Sequence, residues 1–515
     1  MTSVQEPAAA SAIAPAITFR QLTVVAGRQT LLQNVDAGFQ AGKVTLIIGC
    51  SGVGKSVLLN AMADLIRDDD DVTVTGEVTR NGASVGVVFQ SFALFDELTP
   101  RQNVALAAAQ RRGPPKDPST TAELLDELQV PADVPTAALS GGQRQRLAIA
   151  RALAFDAEVI LYDEPTSGLD AQTGSKVAEL IRRAHDEHHK TSIIVTHDFA
   201  TLTCIADEVF LLDAATRSLR RIPPEQWPEL HELLVPPAQN ETPARWSRGW
   251  LQALGGLFEA TTRACERTVT LPLHLLPLWR SPAWGLRCLL HYLRIVAGPS
   301  AWLYLAITGA IIGFVTTYFT FKYLPFADYT EPLLLEELLG SIGFALYRIF
   351  VPVLATILIA ARCGGAVASD IGGKSYGRQL DAMKTLGMNP PRYLKTGILY
   401  SFLFGAPVLT LVAYGAAAMA SLVVFTATHL DRGSLFWNHH FHAELTNPGS
   451  FWFAGTGWLL AKLLICAVGI AAISYHRGAT RKYSTGDVSR GITSTILWST
   501  LYVLVVHFAF AFFEF

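Results

Sequence analysis

Apolar positions follow two different patterns along this chain. Up to about Leu289 the apolar runs are short. Val44–Ile48, Gly86–Phe89, Val159–Tyr162 and Ile193–Thr196 have the pattern of strands buried on both faces. Ile17–Ile48 alternates, with Gly27 and Gly42 as turns, which predicts a small antiparallel β element. Val57–Met62, Thr121–Leu128 and Arg144–Ala154 read as helices. Beyond Leu289 the runs lengthen. Ile295–Phe321, Ile342–Ala361, Thr396–Thr426, Ala454–Ser474 and Ile492–Phe513 can each cross a bilayer core about 30 Å thick. The expected fold is an α/β domain followed by an all-α membrane domain of about five helices.

The first chemistry lies between a strand and a helix. Gly49-Cys50-Ser51-Gly52-Val53-Gly54-Lys55-Ser56 joins Val44–Ile48 to Val57–Met62. Backbone N–H groups and the helix dipole of such a loop point at phosphate. Glycines let the backbone come close where a Cβ would clash. Lys55 can reach the β- and γ-phosphates, and the Ser56 hydroxyl can ligate Mg2+. Three other strands end in polar groups: Gln90 after Phe89, Asp163-Glu164 after Tyr162, and His197 after Thr196. In open α/β sheets that edge holds the ligands. Leu139-Ser140-Gly141-Gly142-Gln143 opens a helix, with Ser140 near its N-cap. The four acids Asp68–Asp71 read as a solvated loop.

These pieces resemble the ATP-binding-cassette (ABC) ATPase family over about residues 17–222. Gly49–Ser56 matches Walker A and Gln90 the Q-loop glutamine. Leu139–Gln143 matches the LSGGQ signature and Val159–Glu164 Walker B. Ser167–Asp170 matches the D-loop and His197 the switch histidine. The resemblance implies a P-loop fold with ATP and Mg2+ as cofactors. Gly49, Cys50, Ser51, Gly52, Val53, Gly54, Lys55 and Ser56 would then cradle the phosphates. Ser56 and Gln90 would ligate Mg2+, Asp163 would hold it through water, and Glu164 would polarise the attacking water. Gln90 would also position water, and His197 would bind the γ-phosphate. Ser140, Gly141, Gly142 and Gln143 would close the site of a second cassette, so the resemblance implies a homodimer. One position departs. Ala26 stands where the family stacks an aromatic on adenine, a contact worth about 1–3 kcal/mol. Either nucleotide affinity is weaker, or another aromatic such as Phe19 substitutes.

The domain boundaries expected are a disordered leader over 1–16, the ATPase over 17–222, a Pro-rich linker over 223–249, interfacial amphipathic helices over 250–294 and the membrane domain over 295–515. Arg280, Arg287 and Arg294 share one helical face among Trp279, Trp284, Leu286 and Leu290, as in a helix lying in the headgroup layer. The basic loops Arg362–Lys395 and Tyr475–Arg490 place themselves in the cytosol. The loops near Asp328–Glu337 and His429–Thr446, and Phe515, then lie outside. His439, His440 and His442 read as a solvated outer loop rather than a metal site.

Val351–Leu354, Ala361–Gly372, Gln379–Met383 and Met388-Asn389-Pro390 resemble the permease of the Mla lipid-asymmetry transporters, over about residues 250–513. That family moves phospholipid with Mce-domain partners, and its two halves are usually separate chains. The resemblance implies a lipid substrate and an Mce-type or other lipid carrier outside. Arg378 stands where the family often has an acid, Asp370 stands for its usual Glu, and Ile349 replaces another. Lys374–Met388 is the candidate coupling helix, docking near Gln90–Leu98.

Arg348, Lys462 and His507 fall inside predicted spans, each about 9–12 Å from the outer end of its helix. Cations there are expensive and face a cavity or a partner, so an anionic lipid headgroup is their expected ligand. Snorkelling or structural pairing is the alternative. The net charge of -2 gives no push toward nucleic acid. Six scattered cysteines without a CxxC pair argue against a zinc site and for a reduced, cytosol-facing location. The expectation is an ATP-driven half-transporter in a bacterial inner membrane. An ATPase-first multidrug or sterol exporter and a non-transporting ATPase that drives a partner are the competing readings.

Overall fold

The computed structural model describes residues 15–27, 29–50, 52–67, 72–111, 118–168, 171–213, 215–233, 279, 282–323, 327–446, 449 and 452–514. Residues 1–14 of the expected leader, Ser51, the acidic run Asp68–Asp71, Leu169, Asp170, Arg280, Phe515 and most of the linker and interfacial stretch lie outside them, whereas Pro15 and Ala16, expected in the leader, open the first strand. The chain forms two compact units. One comprises Met1–Trp246 with Gly377–Met388, the other Ser247–Tyr376 with Asn389–Phe515.

In the first unit a six-stranded sheet runs β5-β6-β7-β3-β8-β9. These strands are β3 (Val44–Ile48), β5 (Val85–Val88), β6 (Val159–Asp163), β7 (Thr191–Thr196), β8 (Glu208–Asp213) and β9 (Ser218–Ile222). All pair in parallel except β9, which is antiparallel to β8. Every residue of β3, β6 and β7 is buried, which is why their sequences run apolar without alternation. The register sets Ile48 beside Thr196 and Asp163 beside Val195. Gly49, Glu164 and His197, each one residue beyond its strand, therefore emerge at one edge. A second, antiparallel sheet runs β2-β1-β4 from β1 (Pro15–Ala26), β2 (Gln29–Gln40) and β4 (Val72–Thr79). Its inward rings join it to the first sheet: Phe19 meets Phe39 and Phe39 meets Phe210, each at 5.3 Å between centroids.

Residues 377–388 correct the expected coupling helix. The preceding helix Gly365–Tyr376 contains Lys374 and stops. Arg378 then takes a left-handed φ of 55°, and a separate short helix, Gln379–Thr385, comes after it. Within the first unit it is held at Gln379 Nε2 to Asp96 Oδ2 (3.1 Å) and Arg67 Nη2 to Asp381 Oδ1 (2.5 Å).

The second unit is helical. Among the described residues, five helical stretches are long and apolar enough to cross a membrane: Pro282–Lys322, Leu333–Tyr376, Pro391–Thr428, Thr456–Ala479 and Thr485–Glu514. Helix continues past Arg362, where the apolar pattern ends, because the polar side chains there find partners. Arg362 Nη2 donates to Ser300 Oγ at 2.6 Å. Asp370 accepts from Lys374 Nζ at 2.8 Å and Tyr292 Oη at 3.0 Å. The helix Pro282–Ala297 buries Gly285, Cys288, Tyr292 and Val296 and leaves Arg287, Arg294, Leu286 and Leu290 exposed. Close backbone packing joins Pro299–Lys322 to Thr396–Thr428. A Cβ on Gly309 would lie 2.1 Å from Ala413 O, and one on Gly313 would lie 2.1 Å from Ala417 O. Only glycine permits so close an approach.

Candidate functional site

The glycine loop sits between β3 and helix α1 (Lys55–Met62). Gly54 caps α1 with φ 100°, and a Cβ there would lie 2.8 Å from Leu31 Cδ1. No side chain caps this helix, so its first N–H groups are left for a ligand. Lys55 Nζ donates to Gly49 O and Cys50 O, both at 2.9 Å, and lies 4.0 Å from Glu164 Oε1. Burial pulls the Lys55 pKa below its ordinary value, opposed by Glu164, Cys50 and Asp163.

The carboxylates leave β6 in different directions. Asp163 ends the strand and is buried, and its Oδ1 accepts from Ser56 Oγ at 3.1 Å. Burial raises the Asp163 pKa, and Arg378, the Ser56 hydrogen bond and Lys55 oppose this. Glu164 takes a left-handed φ of 48°, pinned by its own N–H to Val195 O at 2.8 Å. That strained turn aims its side chain back across the edge. His197 Nδ1 lies 3.0 Å from Glu164 Oε1. Gln90 Nε2 donates to Glu164 Oε2 at 3.5 Å and to Ser167 Oγ at 3.3 Å. Lys55, Ser56, Gln90, Asp163, Glu164 and His197 are thus one connected group.

Ser140 caps helix α4 (Gly141–Ala154) in a reciprocal box. Gln143 N donates to Ser140 Oγ at 3.3 Å, and Ser140 N donates to Gln143 Oε1 at 3.0 Å. Ser140 and Gly141 are exposed, and nothing lies within 4 Å of a Cβ built on Gly141 or Gly142. The expected adenine substitute is a correction. Phe19 is 1% exposed and committed to Phe39, so it is core and cannot stack on a base.

The donor set suits ATP and Mg2+. A hydroxyl, a buried carboxylate and an amide offer the few hard oxygens that Mg2+ takes from a protein alongside phosphate and water.

In the second unit the three intramembrane cations do not share one point. Arg348 Nε lies 2.8 Å from Glu514 Oε1 and Lys462 Nζ 2.8 Å from Glu514 Oε2. Lys462 Nζ also donates to Arg348 O at 2.7 Å. His507 Nε2 instead meets Thr356 Oγ1 at 2.9 Å. Arg348 lies in a wide π-helical turn, Leu346–Phe350, which swings it toward Gly455; a Cβ on Gly455 would lie 2.6 Å from Arg348 Nε. Sequence reading missed Glu514. Its one signal was an acid closing an otherwise apolar helix. It also missed Arg378, which lies 3.5 Å from Asp163.

A family model described as an ABC transporter matches residues 32–167, and one described as Permease MlaE matches residues 291–513. The sulfate/thiosulfate import ATP-binding protein CysA of Synechocystis is 39% identical over 194 residues, which is 36% of this chain and 55% of that protein. CysA of Bordetella parapertussis is 38% identical over 223 residues, 41% of this chain and 63% of that protein. The chain therefore spans less than two thirds of these relatives, and the likeness is confined to the ATPase side. Among solved structures, cbiO1 from Clostridium perfringens is 26% identical, with TM-score 0.37, covering 43% of this chain and 93% of that one. The dimeric bacterial cassette MJ0796 is 31% identical, with TM-score 0.35, covering 40% and 97%. The two family matches, one on each side of the linker, together make this chain an ABC ATPase fused to an MlaE-type permease, the make-up of an ABC transporter.

Proposed function

We propose that this chain hydrolyses ATP as a homodimer and uses the closure of two ATP sites to move a phospholipid or another lipid. The observation that carries the reading is the connected group from Lys55 to His197, in a chain whose membrane helices match an MlaE-type permease. Lys55 and the uncapped start of α1 neutralise and orient the phosphates. Glu164 accepts hydrogen from the attacking water, and His197 and Gln90 fix the direction of its carboxylate. Ser56, Asp163 and Gln90 would hold Mg2+, which supplies charge neutralisation between the phosphates. The open signature helix start at Ser140, Gly141, Gly142 and Gln143 faces a second copy and completes that copy's site.

The ATPase unit then lies in the cytosol of a bacterial inner membrane, with the end of Thr485–Glu514 outside. An Mce-type or other carrier outside would exchange the lipid. Arg348 and Lys462 take an anionic headgroup in this reading only when Glu514 yields its place to the phosphate, and His507 would join them only by leaving Thr356. Proteoliposomes of the purified chain test the proposal. ATP-dependent transfer of labelled phospholipid, abolished by E164Q, is expected; ATP hydrolysis without any lipid transfer would overturn it. R348A is expected to lower lipid-stimulated ATPase and co-purified lipid, and no change in either removes the headgroup role.

A further inference from the structure

Arg378 occupies an unusual position. It sits at the break between two helices, in a left-handed backbone conformation that is strained for a non-glycine residue. Its Nη1 reaches to 3.5 Å from Asp163 Oδ2, and its guanidinium carbon stands 5.5 Å from the centre of the Phe89 ring. The other oxygen of the same carboxylate accepts from Ser56 Oγ. Asp163 is therefore clamped between the hydroxyl of the P-loop and a guanidinium from residues 377–388, a segment of the first unit. Neighbouring contacts keep that segment in place: Ser91 Oγ to Gly377 O at 3.5 Å and Gln379 Nε2 to Asp96 Oδ2 at 3.1 Å. The Asp163 side chain is 4% exposed and that of Arg378 25% exposed, so the cation comes from the open side of the carboxylate.

A carboxylate buried this deeply needs a positive partner. Besides the nearby charge of Lys55, its oxygens have two candidate partners, a divalent metal beside Ser56 and Arg378. We propose that Arg378 is a positioning residue that competes with the metal for Asp163, so that loading the ATP site with metal loosens residues 377–388. The proposal rests on the ATP reading of the site. Residues 377–388 are continuous at both ends with membrane-crossing stretches, so their release is a direct route from metal occupancy to the permease helices. A purely structural arginine would only help this segment dock, and its removal would never tighten metal binding.

The test uses the full chain in detergent, with Mn2+ as the metal and a non-hydrolysable ATP analogue. R378M should bind Mn2+ about three- to tenfold more tightly than wild type, the range that loss of a partly buried ion pair supports. R378K, which keeps the charge, should stay near wild type. Analogue binding in EDTA should be equal in all three. In wild type, phenylglyoxal should modify Arg378 faster with Mn2+ and analogue than with analogue alone. That measurement needs no variant to fold. Unchanged or weaker Mn2+ binding by R378M, or an Arg378 modification rate indifferent to Mn2+, overturns the proposal. Wild type that binds no analogue overturns the ATP reading itself.

Discussion

Lys462 Nζ donates to Glu514 Oε2 at 2.8 Å, so the last turn of Thr485–Glu514 supplies the counter-charge for a buried lysine of Thr456–Ala479. Arg348 shares that carboxylate, and the Glu514 side chain is 1% exposed. Two helices and a π-helical turn are thus tied at one acid.

Removing only the acid leaves a buried lysine beside a half-buried arginine. Breaking one partner out of such a cluster costs about 3–5 kcal/mol, whereas replacing every member with apolar residues is often neutral. E514Q should therefore lower the thermal midpoint of the detergent-solubilised protein sharply. The triple variant R348M/K462M/E514M should recover most of the loss. An E514Q protein as stable as wild type would show that the cluster contributes nothing to the bundle.

Gly309 and Gly313 give a second stability prediction. A Cβ at either would meet a backbone oxygen of the facing helix at 2.1 Å, and a backbone cannot swing aside as a side chain can. Overpacking commonly costs about 1–3 kcal/mol and more where backbone must move. G309V and G313V should each reduce the yield of monodisperse protein and its thermal midpoint. G415V, on the same helix as Ala413 but with nothing within 4 Å, should not.

In the ATPase unit Asp207 pins the start of β3. Its carboxylate accepts from Val44 N at 2.8 Å and Arg182 Nη1 at 3.1 Å. Burial alone would raise its pKa, but these hydrogen bonds and the Arg182 charge outweigh that and hold it below the ordinary carboxylate range. A folded pKa below the unfolded one contributes stability above the unfolded value, about pH 4, that is lost as pH falls through the folded value. D207N should lower the midpoint of the ATPase transition at pH 7. The gap from wild type should close on acidification below about pH 4. A gap independent of pH would assign the effect to shape rather than charge.

Much of the ATPase fold was legible because burial on both faces leaves no choice of residue. Val44–Ile48, Val159–Tyr162 and Ile193–Thr196 could only be central strands, and polar groups placed just after them had to gather at one edge. The features that escaped depended on partners distant in sequence. Arg362 and Asp370 looked like the end of a span, yet Ser300, Lys374 and Tyr292 let the helix run on to Tyr376. Phe19 looked available because its strand alternates, but its face of the sheet turns inward onto Phe39. Structural pairing of Arg348 and Lys462 was one of the expectations, but the partner could not be named because Glu514 lies far along the chain. Lys374–Met388 looked like one helix because nothing local announces the left-handed turn at Arg378.

Catalysis and binding should separate within the connected group. In the proposed mechanism Glu164, with His197 at 3.0 Å, polarises the attacking water, and Lys55 holds the phosphates. E164Q should cut turnover by about 10²–10⁴-fold, the span of general base catalysis, while ATP affinity stays near wild type. K55A should lose affinity as well as turnover. Equal loss of affinity in both variants would mean that Glu164 supports the loop rather than the chemistry.

The signature glycines isolate the contribution of the second copy. Built on Gly142, a Cβ meets nothing within 4 Å, and the residue lies in the first turn of α4 with no positive φ. Its own fold therefore has no steric objection to a side chain. A glycine inside a helix even costs about 0.5–1 kcal/mol relative to alanine. G142V should keep the thermal midpoint and the ATP affinity of wild type. If a partner's nucleotide must pack against this helix start, the added side chain blocks the approach and hydrolysis collapses. Wild-type turnover per chain should then rise steeply with protein concentration through the dimerisation range, and G142V should stay flat. Full hydrolysis by G142V would show that each chain completes its own site, and the homodimer reading would fail with it.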